Sequence, residues 1–419
     1  MRRKHYLYPA LGIALGWFYL SYRPGPTHVW QALWAEDGRI FLGQSLSMGH
    51  RALWQPYGGY LHTIPRLIAW VGEALPLRLI PVLYGLSSTL IAAICIVLFS
   101  EGLRRWLKYP PTRMILILVL VASYGAADEI DGNLANLHSY IDLGLLGLAL
   151  LRPITRRTVV AGAVAAFLFA MTDAIAFIPA VIALVDSYLR KDEPSRIRGW
   201  LISVSMTAGA LIQVSVTLTS PRGVSSNPTP GILHLASRYI LEVIGQGIAP
   251  TILGNVSRSG LLFDLVVVLA VAGAIILHRR PQNWPSRLVV GYGLFVLSVV
   301  YFVLSGVANH NIAIRYKDIP AMLVLTALIV LFAHERMFGD SFVVIIGVII
   351  LAELGSFATS PRLGAALDWQ TALARAKTEQ CPFTTGARIP VAPNSREDYR
   401  TAQWVVMVPC ARLGAKPPA

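Results

Sequence analysis

The sequence has few charged residues for its length, and this low charge indicates whether the protein is soluble or membrane-bound. Of 419 residues, 14% are Asp, Glu, Lys or Arg, whereas 55% are hydrophobic. The mean hydropathy is +0.58. About a quarter of the residues are charged in a typical soluble domain. The composition therefore excludes an ordinary soluble protein and predicts a membrane protein.

Motifs of soluble active sites are also missing. The chain has no Gly-rich phosphate loop ending in Lys and Ser or Thr, no nucleophile elbow and no HExxH. It has no CxxC pair or Cys/His zinc spacing, and its first long loop lacks an Asp-x-Asp element. We therefore predict no metal and no cofactor. Binding of a divalent cation by His62 with Glu36 or Asp37 remains an alternative.

Long apolar runs account for most of the chain. A span needs roughly 20 apolar residues to cross about 30 Å of hydrocarbon. By this criterion we predict an all-α polytopic membrane protein with about eleven transmembrane helices. The runs lie at residues 6–22, 77–100, 114–127, 139–151, 158–172, 174–189, 199–219, 260–277, 288–306, 319–333 and 341–356.

Basic residues predict the orientation of these runs. Arg2, Arg3 and Lys4 precede the first run, which has no small-residue cleavage site, so we interpret it as an uncleaved anchor with a cytoplasmic N-terminus. The inside loops then hold half of the 36 Lys and Arg residues. This topology explains the net charge of +14 without a nucleic acid partner. An odd number of spans places the C-terminus outside the inner or plasma membrane.

Two predicted hairpins have unusually short helices. Runs 114–127 with 139–151 and 158–172 with 174–189 contain about 13 to 16 apolar residues each, or roughly 20 to 24 Å of helix. The polar residues between them predict an outward-facing polar cavity. The alternative is that the helices are longer and these are ordinary loop residues. The residues are Asp128, Glu129, Asp131, Asn133, Asn136, His138, Asp142 and Asp173.

Three outer segments are too long to be simple turns: 23–76, 220–259 and the tail 357–419. The first two show the apolar spacing of amphipathic helices lying at the interface. Residues 1–356 form the predicted transmembrane domain, and 357–419 form a small extracytoplasmic tail. In the first loop, aromatic residues suit the headgroup zone. These are Trp30, Trp34, Trp54, Tyr57 and Tyr60.

The tail contains two of the three cysteines, Cys381 and Cys410. Outside the cell such a pair predicts a disulfide, because a tail of this size needs a cross-link to hold a fold. Two unpaired cysteines in a flexible tail are the alternative. Cys95 lies within a predicted span and is interpreted as a small core residue.

Candidate chemistry begins with the adjacent acids Glu36 and Asp37 of the first outer loop. In a cleft of low dielectric, a carboxylate gains enough basicity to take a proton from a hydroxyl group. Arginines predicted to lie outside near the membrane suit phosphate, although snorkelling to lipid headgroups explains any one of them. The basic residues in question are Arg39, Arg51, Arg66, Arg258, Arg315 and Lys317.

The order of these features resembles the GT-C superfamily of integral membrane glycosyltransferases. The matching features are the cytoplasmic N-terminus, the acidic pair in a long first outer loop with amphipathic helices, and the polytopic core. The segments EDGRIF, PYGGYLHTIPRL and GNLANLHSYIDLGLL, the Arg315–Tyr316 pair and the two-cysteine tail are similar to actinobacterial members. The resemblance covers the architecture of nearly the whole chain.

This resemblance implies an inverting glycosyltransferase that moves a sugar from a polyprenyl-phosphate donor to a glycan, lipid or protein on the extracytoplasmic face. It implies Asp37, or second Glu36, as catalytic base. For the leaving phosphate we predict Arg315 first, followed by Arg66, Lys317 and Arg258. Candidates for contacts with the sugar or acceptor are His62, Asn136 and His138, with Tyr60, Trp54 or Trp34 stacking on a sugar face.

Two other classes of function fit parts of the pattern. A secondary transporter of a polar or anionic solute also needs intramembrane acids and short, broken helices. We find no internal repeat relating the two halves, and the polar residues are concentrated on the outer side. A non-catalytic scaffold is the third interpretation, and it does not require the acids and arginines to converge.

Overall fold

The computed structural model describes residues 4–22, 28–122, 131–152, 155–189, 196–220, 231–240, 243, 284–309, 318–332 and 366–415. These residues are mostly helical, with one pair of antiparallel strands, β1 (Gly386–Pro390) and β2 (Val405–Pro409). In chain order the α-helices are α1 (Lys4–Tyr22), α2 (Gly43–Met48), α3 (Thr63–Glu73), α4 (Ile80–Gly102), α5 (Pro110–Ala122), α6 (Leu137–Leu150), α7 (Arg156–Ala170), α8 (Phe177–Leu189), α9 (Arg196–Thr219), α10 (Ile232–Arg238), α11 (Trp284–Asn309), α12 (Asp318–Phe332) and α13 (Trp369–Glu379).

Within the described ranges, three helical stretches are long and apolar enough to cross a membrane. They are Leu77–Arg105, Ile197–Thr219 and Ser286–Ser305. Shorter apolar helices lie at Pro110–Ala122, Leu137–Leu150, Phe177–Leu189 and Asp318–Leu331. The helical content and these apolar stretches indicate an α-helical membrane protein.

Nine of the eleven predicted runs overlap described helices, and the runs 260–277 and 341–356 lie outside the described residues. The short lengths expected in the two hairpins are confirmed for α6 and α7, which have 14 and 15 residues. At 1.5 Å per residue these two helices are roughly 21 to 23 Å long, which is shorter than the hydrocarbon layer. Helices α5 and α8 end where the described residues end, at Ala122 and Leu189.

The chain forms two compact units. One contains residues 1–12, 103–128 and 223–357, and the other contains 13–102, 129–222 and 358–419. In the first unit α11 packs on α12, and the Ser298 hydroxyl donates to the carbonyl of Pro320 at 2.8 Å. The candidate site lies in the second unit. The tail, predicted to begin at residue 357, shares this unit with the first outer loop.

Helix α6 is the central helix of the second unit. Every residue from Leu137 to Ala149 is buried except His138. The helix packs against α4, α7, α8 and α9. A helix that is apolar on nearly all sides is expected to lie inside a bundle. Its N-terminal end therefore holds polar side chains away from lipid, and these side chains contribute to the site described below.

The segment predicted to be the first outer loop and the tail share one hydrophobic core. Phe41 and Leu42 of the loop pack in the same buried cluster as Val406 and Val408 of β2. The backbone joins the two segments as well. The Ala392 amide donates to the carbonyl of Leu33 at 3.0 Å, and other bonds run from Trp369 N–H to the carbonyl of Gln31 at 2.7 Å and from the Trp369 indole to the carbonyl of Leu77 at 2.8 Å. The tail therefore supports the loop that carries Glu36 and Asp37.

The predicted disulfide between Cys381 and Cys410 is confirmed. It joins the end of α13 to the residue that follows β2, and both cysteines are buried in the shared core. The bond closes a loop of 29 residues. Chain entropy alone gives such a loop a stabilisation of about 3 to 4 kcal/mol. Cys95 is a buried free cysteine in α4, as predicted.

Trp34 differs from the prediction that it lies among the headgroups. Its side chain is 6% exposed and belongs to the shared core, and its backbone forms a parallel bridge with Ala392 of the tail. Burial of a large aromatic side chain stabilises this contact more than an interfacial position would. Trp34 is therefore excluded as a platform for a sugar ring.

Gly38, next to Asp37, has no room for a side chain. A Cβ at this position would lie 2.7 Å from Cγ1 of Val391. We expect Gly38→Ala to destabilise the protein by about 1 to 3 kcal/mol, the usual cost of overpacking. In Gly38→Ala/Val391→Ala both methyl groups of the valine are gone. Thermal unfolding should show less destabilisation for this double variant than the sum of the two single variants. Strictly additive losses would show that the two residues are not in contact.

Candidate active site

The predicted base, Asp37, begins a π-helical segment at Asp37–Leu42 and is 1% exposed. Its carboxylate is held by backbone donors from a distant loop. The Leu134 N–H is 3.1 Å from both carboxylate oxygens, and the Ala135 N–H is 3.0 Å from Oδ1. The loop reaches this position through Gly132, which has φ of 78°. A side chain there would come within 2.1 Å of Val29, so glycine is required.

The environment of Asp37 makes it more basic than an ordinary carboxylate. Burial raises its pKa to about 8, the two backbone N–H groups oppose the rise, and the charge of Glu36 adds to it. A carboxyl with this pKa exchanges its proton near neutral pH, as a general base requires. The N–H groups use three of its roughly four lone-pair sites, which leaves one for another donor. Asp37 is therefore both oriented and able to accept a proton.

Glu36 lies beside this carboxyl and is half-buried. Its Oε2 atom is buried and has no hydrogen-bond partner in the structure. The phenol of Tyr84 in α4 is also buried and unpartnered, and it interacts electrostatically with Asp37. Unsatisfied buried polar atoms are costly in a folded protein and mark candidate ligand sites. Tyr84 was not predicted, because a tyrosine within a span looks like a core residue.

Arg66, a predicted phosphate ligand, lies on α3 and is 2% exposed. Its Nη1 donates to Oε1 of Gln44 at 2.9 Å, and its guanidinium lies 5.5 Å from the ring centre of Phe41. Its Nε and Nη2 atoms have no partner. Within the described part of the chain, no carboxylate forms an ion pair with Arg66. Burial lowers its pKa to about 10, so it remains a cation at neutral pH.

A buried cation without a counter-ion requires an explanation, because desolvating a charge costs several kcal/mol. Phe41, which contacts Arg66, lies on the same π-helical segment as Asp37. Arg66 therefore packs against the segment that carries the candidate base. Its two unused donors match the geometry of a phosphate or carboxylate. We therefore interpret Arg66 as one side of an anion site.

His62 comes just before α3, and its position is fixed by neighbouring residues. The side-chain amide of Gln213 in α9 bonds to both backbone groups of Leu61, at 3.0 and 2.9 Å. The Thr63 hydroxyl donates to the carbonyl of Met171 at 2.8 Å. The His62 ring stacks on Tyr60 with 4.1 Å between the ring centres. Its Nδ1 atom has no hydrogen-bond partner, and burial lowers its pKa well below the usual value. A neutral imidazole with a free nitrogen suits hydrogen bonding to a hydroxyl group.

The predicted contact Asn136 belongs to the loop that binds Asp37, and the predicted contact His138 lies in the first turn of α6, which follows that loop. The backbone N–H of Asn136 donates to Oδ1 of Asn133 at 2.9 Å, and Nδ1 of His138 lies 3.1 Å from the carbonyl oxygen of Ala135. The His138 ring meets Tyr60 edge-on at 6.2 Å. Tyr60, His62, Asn136 and His138 therefore gather around one pair of loops. Trp54 differs, because its side chain is 66% exposed at the end of a 3₁₀ helix.

Most of the described polar residues between the short helices are buried rather than exposed on a surface loop: Asp131, Asn133, Asn136, Asp142 and Asp173 are buried, and His138 is half-buried. Asp128 and Glu129 lie outside the described residues. Asp131 accepts a hydrogen bond from Tyr140 at 2.5 Å. Asp142 of α6 and Asp173, which follows α7, share a side-chain hydrogen bond. Burial raises the pKa of Asp173, while its bond to Asp142 and the charge of His138 oppose the rise.

The other predicted cations, Arg258, Arg315 and Lys317, lie outside the described residues. Across the residues that are described, His, Cys, Asp and Glu form no group of three or more that suits a metal ion. The site therefore combines a basic carboxyl, a half-buried second acid, a guanidinium with free donors and a cluster of aromatic and histidine rings. No protein family model, curated protein or solved structure matches the chain.

Proposed function

We propose that the protein is an inverting glycosyltransferase that moves a sugar from a polyprenyl-phosphate donor to an extracytoplasmic acceptor. The observation that carries the proposal is the buried Arg66 guanidinium, which has two free donors and packs on the segment of Asp37. A phosphate that leaves during the reaction would supply the missing anion. Asp37 would supply the base on the other reactant.

In the proposed reaction, the Asp37 carboxylate removes the proton of an acceptor hydroxyl. The hydroxyl oxygen attacks the anomeric carbon from the face opposite the phosphate, and the bond to the phosphate oxygen breaks. The electron pair leaves with the polyprenyl phosphate, which therefore needs positive charge rather than an acid. Arg66 provides this charge, and the configuration of the sugar is inverted. Glu36 is the second choice for the base.

The burial of Asp37 adds a requirement. Its side chain is 1% exposed, so the residues that surround it have to move before an acceptor hydroxyl makes contact. The rings of Tyr60, His62 and His138 are proposed to position the sugar hydroxyls, together with Asn136. Arg258, Arg315 and Lys317 lie outside the described residues and stay predictions as further phosphate ligands. The exposed Trp54 is the weakest candidate for sugar contact.

The proposed topology has eleven spans in the inner or plasma membrane, with the N-terminus in the cytoplasm and the C-terminus outside. The disulfide of the tail supports the outer location, since such bonds persist in oxidising compartments. The basic residues of the predicted inside loops support the same orientation. The candidate site would then lie on the extracytoplasmic face, close to lipid-linked donors.

A secondary transporter of a polar or anionic solute is the second candidate. The observation that favours it is the buried pair of Asp142, within α6, and Asp173, just after α7. Protonatable acids at such positions often couple solute movement to protons. This function uses the same polar cluster without requiring Asp37 to take a proton from an acceptor.

The two functions predict different products. We expect purified protein, incubated with radiolabelled polyprenyl-phosphate sugars and extracytoplasmic membrane acceptors, to produce a labelled glycoside of inverted configuration. The same protein in proteoliposomes should not carry labelled free sugars across the bilayer. Solute uptake without any glycosidic product would contradict the glycosyltransferase and support the transporter.

A further inference from the structure

A groove separates α2 from the tail hairpin β1–β2 in the second unit. Its volume is about 580 Å³, within the range of small-molecule binding sites. One wall comes from the first outer loop, with Arg39, Gln44 and Ser47. The opposite wall comes from the hairpin, with Thr385 and Arg388. The two walls are held together by the shared core described above, so the groove is part of the folded unit.

The lining of the groove is cationic and partly apolar. Arg39 lies over the Trp404 ring at 5.6 Å and donates to the carbonyl of Gln403 at 3.3 Å. Arg388 projects from β1 and is exposed. The residues that line the groove include no Asp or Glu. Met407, which pairs with Arg388 across the hairpin, adds an apolar surface that is 53% exposed. Two guanidinium groups beside an apolar wall suit a ligand in which an anionic group is attached to a larger, partly apolar molecule.

The groove is also connected to the candidate active site. Gln44 lines it, and the same side chain accepts the hydrogen bond from Arg66 at 2.9 Å. Arg39 is two residues from Asp37 on the π-helical segment. A ligand in the groove would therefore lie next to the segment that carries the base. A surface far from the candidate active site would not share Gln44 and the π-helical segment with it.

We propose that this groove binds the acceptor and that the acceptor is a saccharide carrying a phosphate. Arg39 and Arg388 would bind the phosphate, Ser47, Thr385 and Gln44 would bind hydroxyl groups, and Met407 would contact an apolar sugar face. The role of acceptor rests on the proposed function. Binding itself does not, because it requires no transfer reaction.

Direct binding tests the groove with a simple probe. The full-length protein is placed in phosphatidylcholine nanodiscs, and binding of mannose esterified with phosphate at its primary hydroxyl is measured by titration. Mannose without phosphate is the neutral comparison. We expect the phosphate ester to bind the wild type at least about tenfold more tightly than mannose. Arg388→Gln should remove most of this difference.

Two further variants separate the groove from general charge. Thr385→Trp fills the groove without changing the charge, and we expect it to weaken binding by about tenfold or more. Arg400→Gln removes a tail arginine that does not line the groove, and it should bind like the wild type. Equal losses in Arg400→Gln and Arg388→Gln, or undiminished binding in Thr385→Trp, would overturn the proposal. Melting temperatures near the wild-type value confirm that each variant is folded.

A soluble glycan and a lipid headgroup are the two sources of such a phosphate, and nanodiscs containing phosphatidylinositol distinguish them. If phosphatidylinositol competes with the phosphate ester, the groove binds a lipid headgroup. If it does not compete, the groove binds a soluble glycan. Failure of the groove is separable from failure of the proposed function. If sugar transfer is normal and Arg388→Gln does not change binding of the phosphate ester, only the groove proposal is rejected. Groove-dependent binding without any transfer rejects only the glycosyltransferase.

Discussion

Asp37→Asn should lower sugar transfer by about 10²-fold or more, the scale expected for loss of a general base. Asparagine nearly preserves the shape of the side chain, but its amide nitrogen takes no proton from a hydroxyl group. The substitution also places an NH₂ group near the Leu134 and Ala135 donors, which now face two carboxylate oxygens. Transfer assays should therefore be accompanied by thermal unfolding, so that lost catalysis is separated from lost protein.

The pH dependence of transfer identifies the base without disturbing the fold. Because burial raises the pKa of Asp37 to about 8, the carboxyl is mostly protonated at lower pH. A base has to be deprotonated, so wild-type transfer should rise about tenfold per pH unit below this value and level off above it. A purely structural carboxylate would not produce such a profile in the transfer step.

Glu36→Gln is the matched control for this profile. The charge of Glu36 contributes to the raised pKa of Asp37, so its removal should lower that pKa. We expect Glu36→Gln to keep activity and to move the rise in transfer to lower pH. If Asp37→Asn and Glu36→Gln both retain full activity, neither acid is the base. If only Glu36→Gln is inactive, the roles of the two residues are exchanged.

The apolar pattern predicted the described helices well because hydrocarbon imposes a simple rule on the chain. A membrane span has to satisfy its own backbone groups and remain apolar over its length, and both requirements are local. The short helices α6 and α7 were also predictable, since polar residues interrupt the apolar sequence before α6, between α6 and α7, and at Asp173 after α7. The disulfide followed from compartment and tail size rather than from any geometry.

Long-range contacts were not predictable in the same way. Asp37 was a candidate because it adjoins Glu36 in a long outer loop, but nothing local to residue 37 points to the amides of Leu134 and Ala135. Nearly a hundred positions separate these partners, and only the folded core brings them together. The buried Trp34 shows the same limit. Its sequence context matches an interfacial tryptophan, and the tail that covers it begins more than three hundred residues later.

Some supporting residues did have a signal in the sequence. Gln213 lies within a predicted span, where a polar side chain usually has a functional or structural partner. That partner is the backbone of Leu61, next to His62. Gln44 carried no comparable signal, because a glutamine is common in a polar loop. Its role became visible only in the structure, where its side chain accepts a hydrogen bond from the buried Arg66. The burial of a cation cannot be read from its neighbours in the sequence.

Arg66 differs from most buried arginines, because no carboxylate in the described part of the chain compensates its charge. A structural arginine is usually paired with a carboxylate, and its removal leaves that partner uncompensated. Arg66 has Gln44 and the ring of Phe41 as neighbours, while two of its nitrogen atoms are unsatisfied. Without an anion, the folded protein bears the cost of desolvating this charge. An anion that binds there recovers part of that cost, which favours retention of the residue for binding.

We therefore expect Arg66→Met to keep or increase the stability of the protein and to lower its sugar transfer. Methionine fills similar space without a buried charge, so the melting temperature without substrate should stay the same or rise. Sugar transfer should fall by about 10²-fold in kcat/KM, because the leaving phosphate loses its positive charge. Arg78→Met, at an exposed arginine just after the same outer loop, should leave both quantities close to wild type. A lower melting temperature with unchanged transfer would assign Arg66 to the fold and remove the anion site from the proposal.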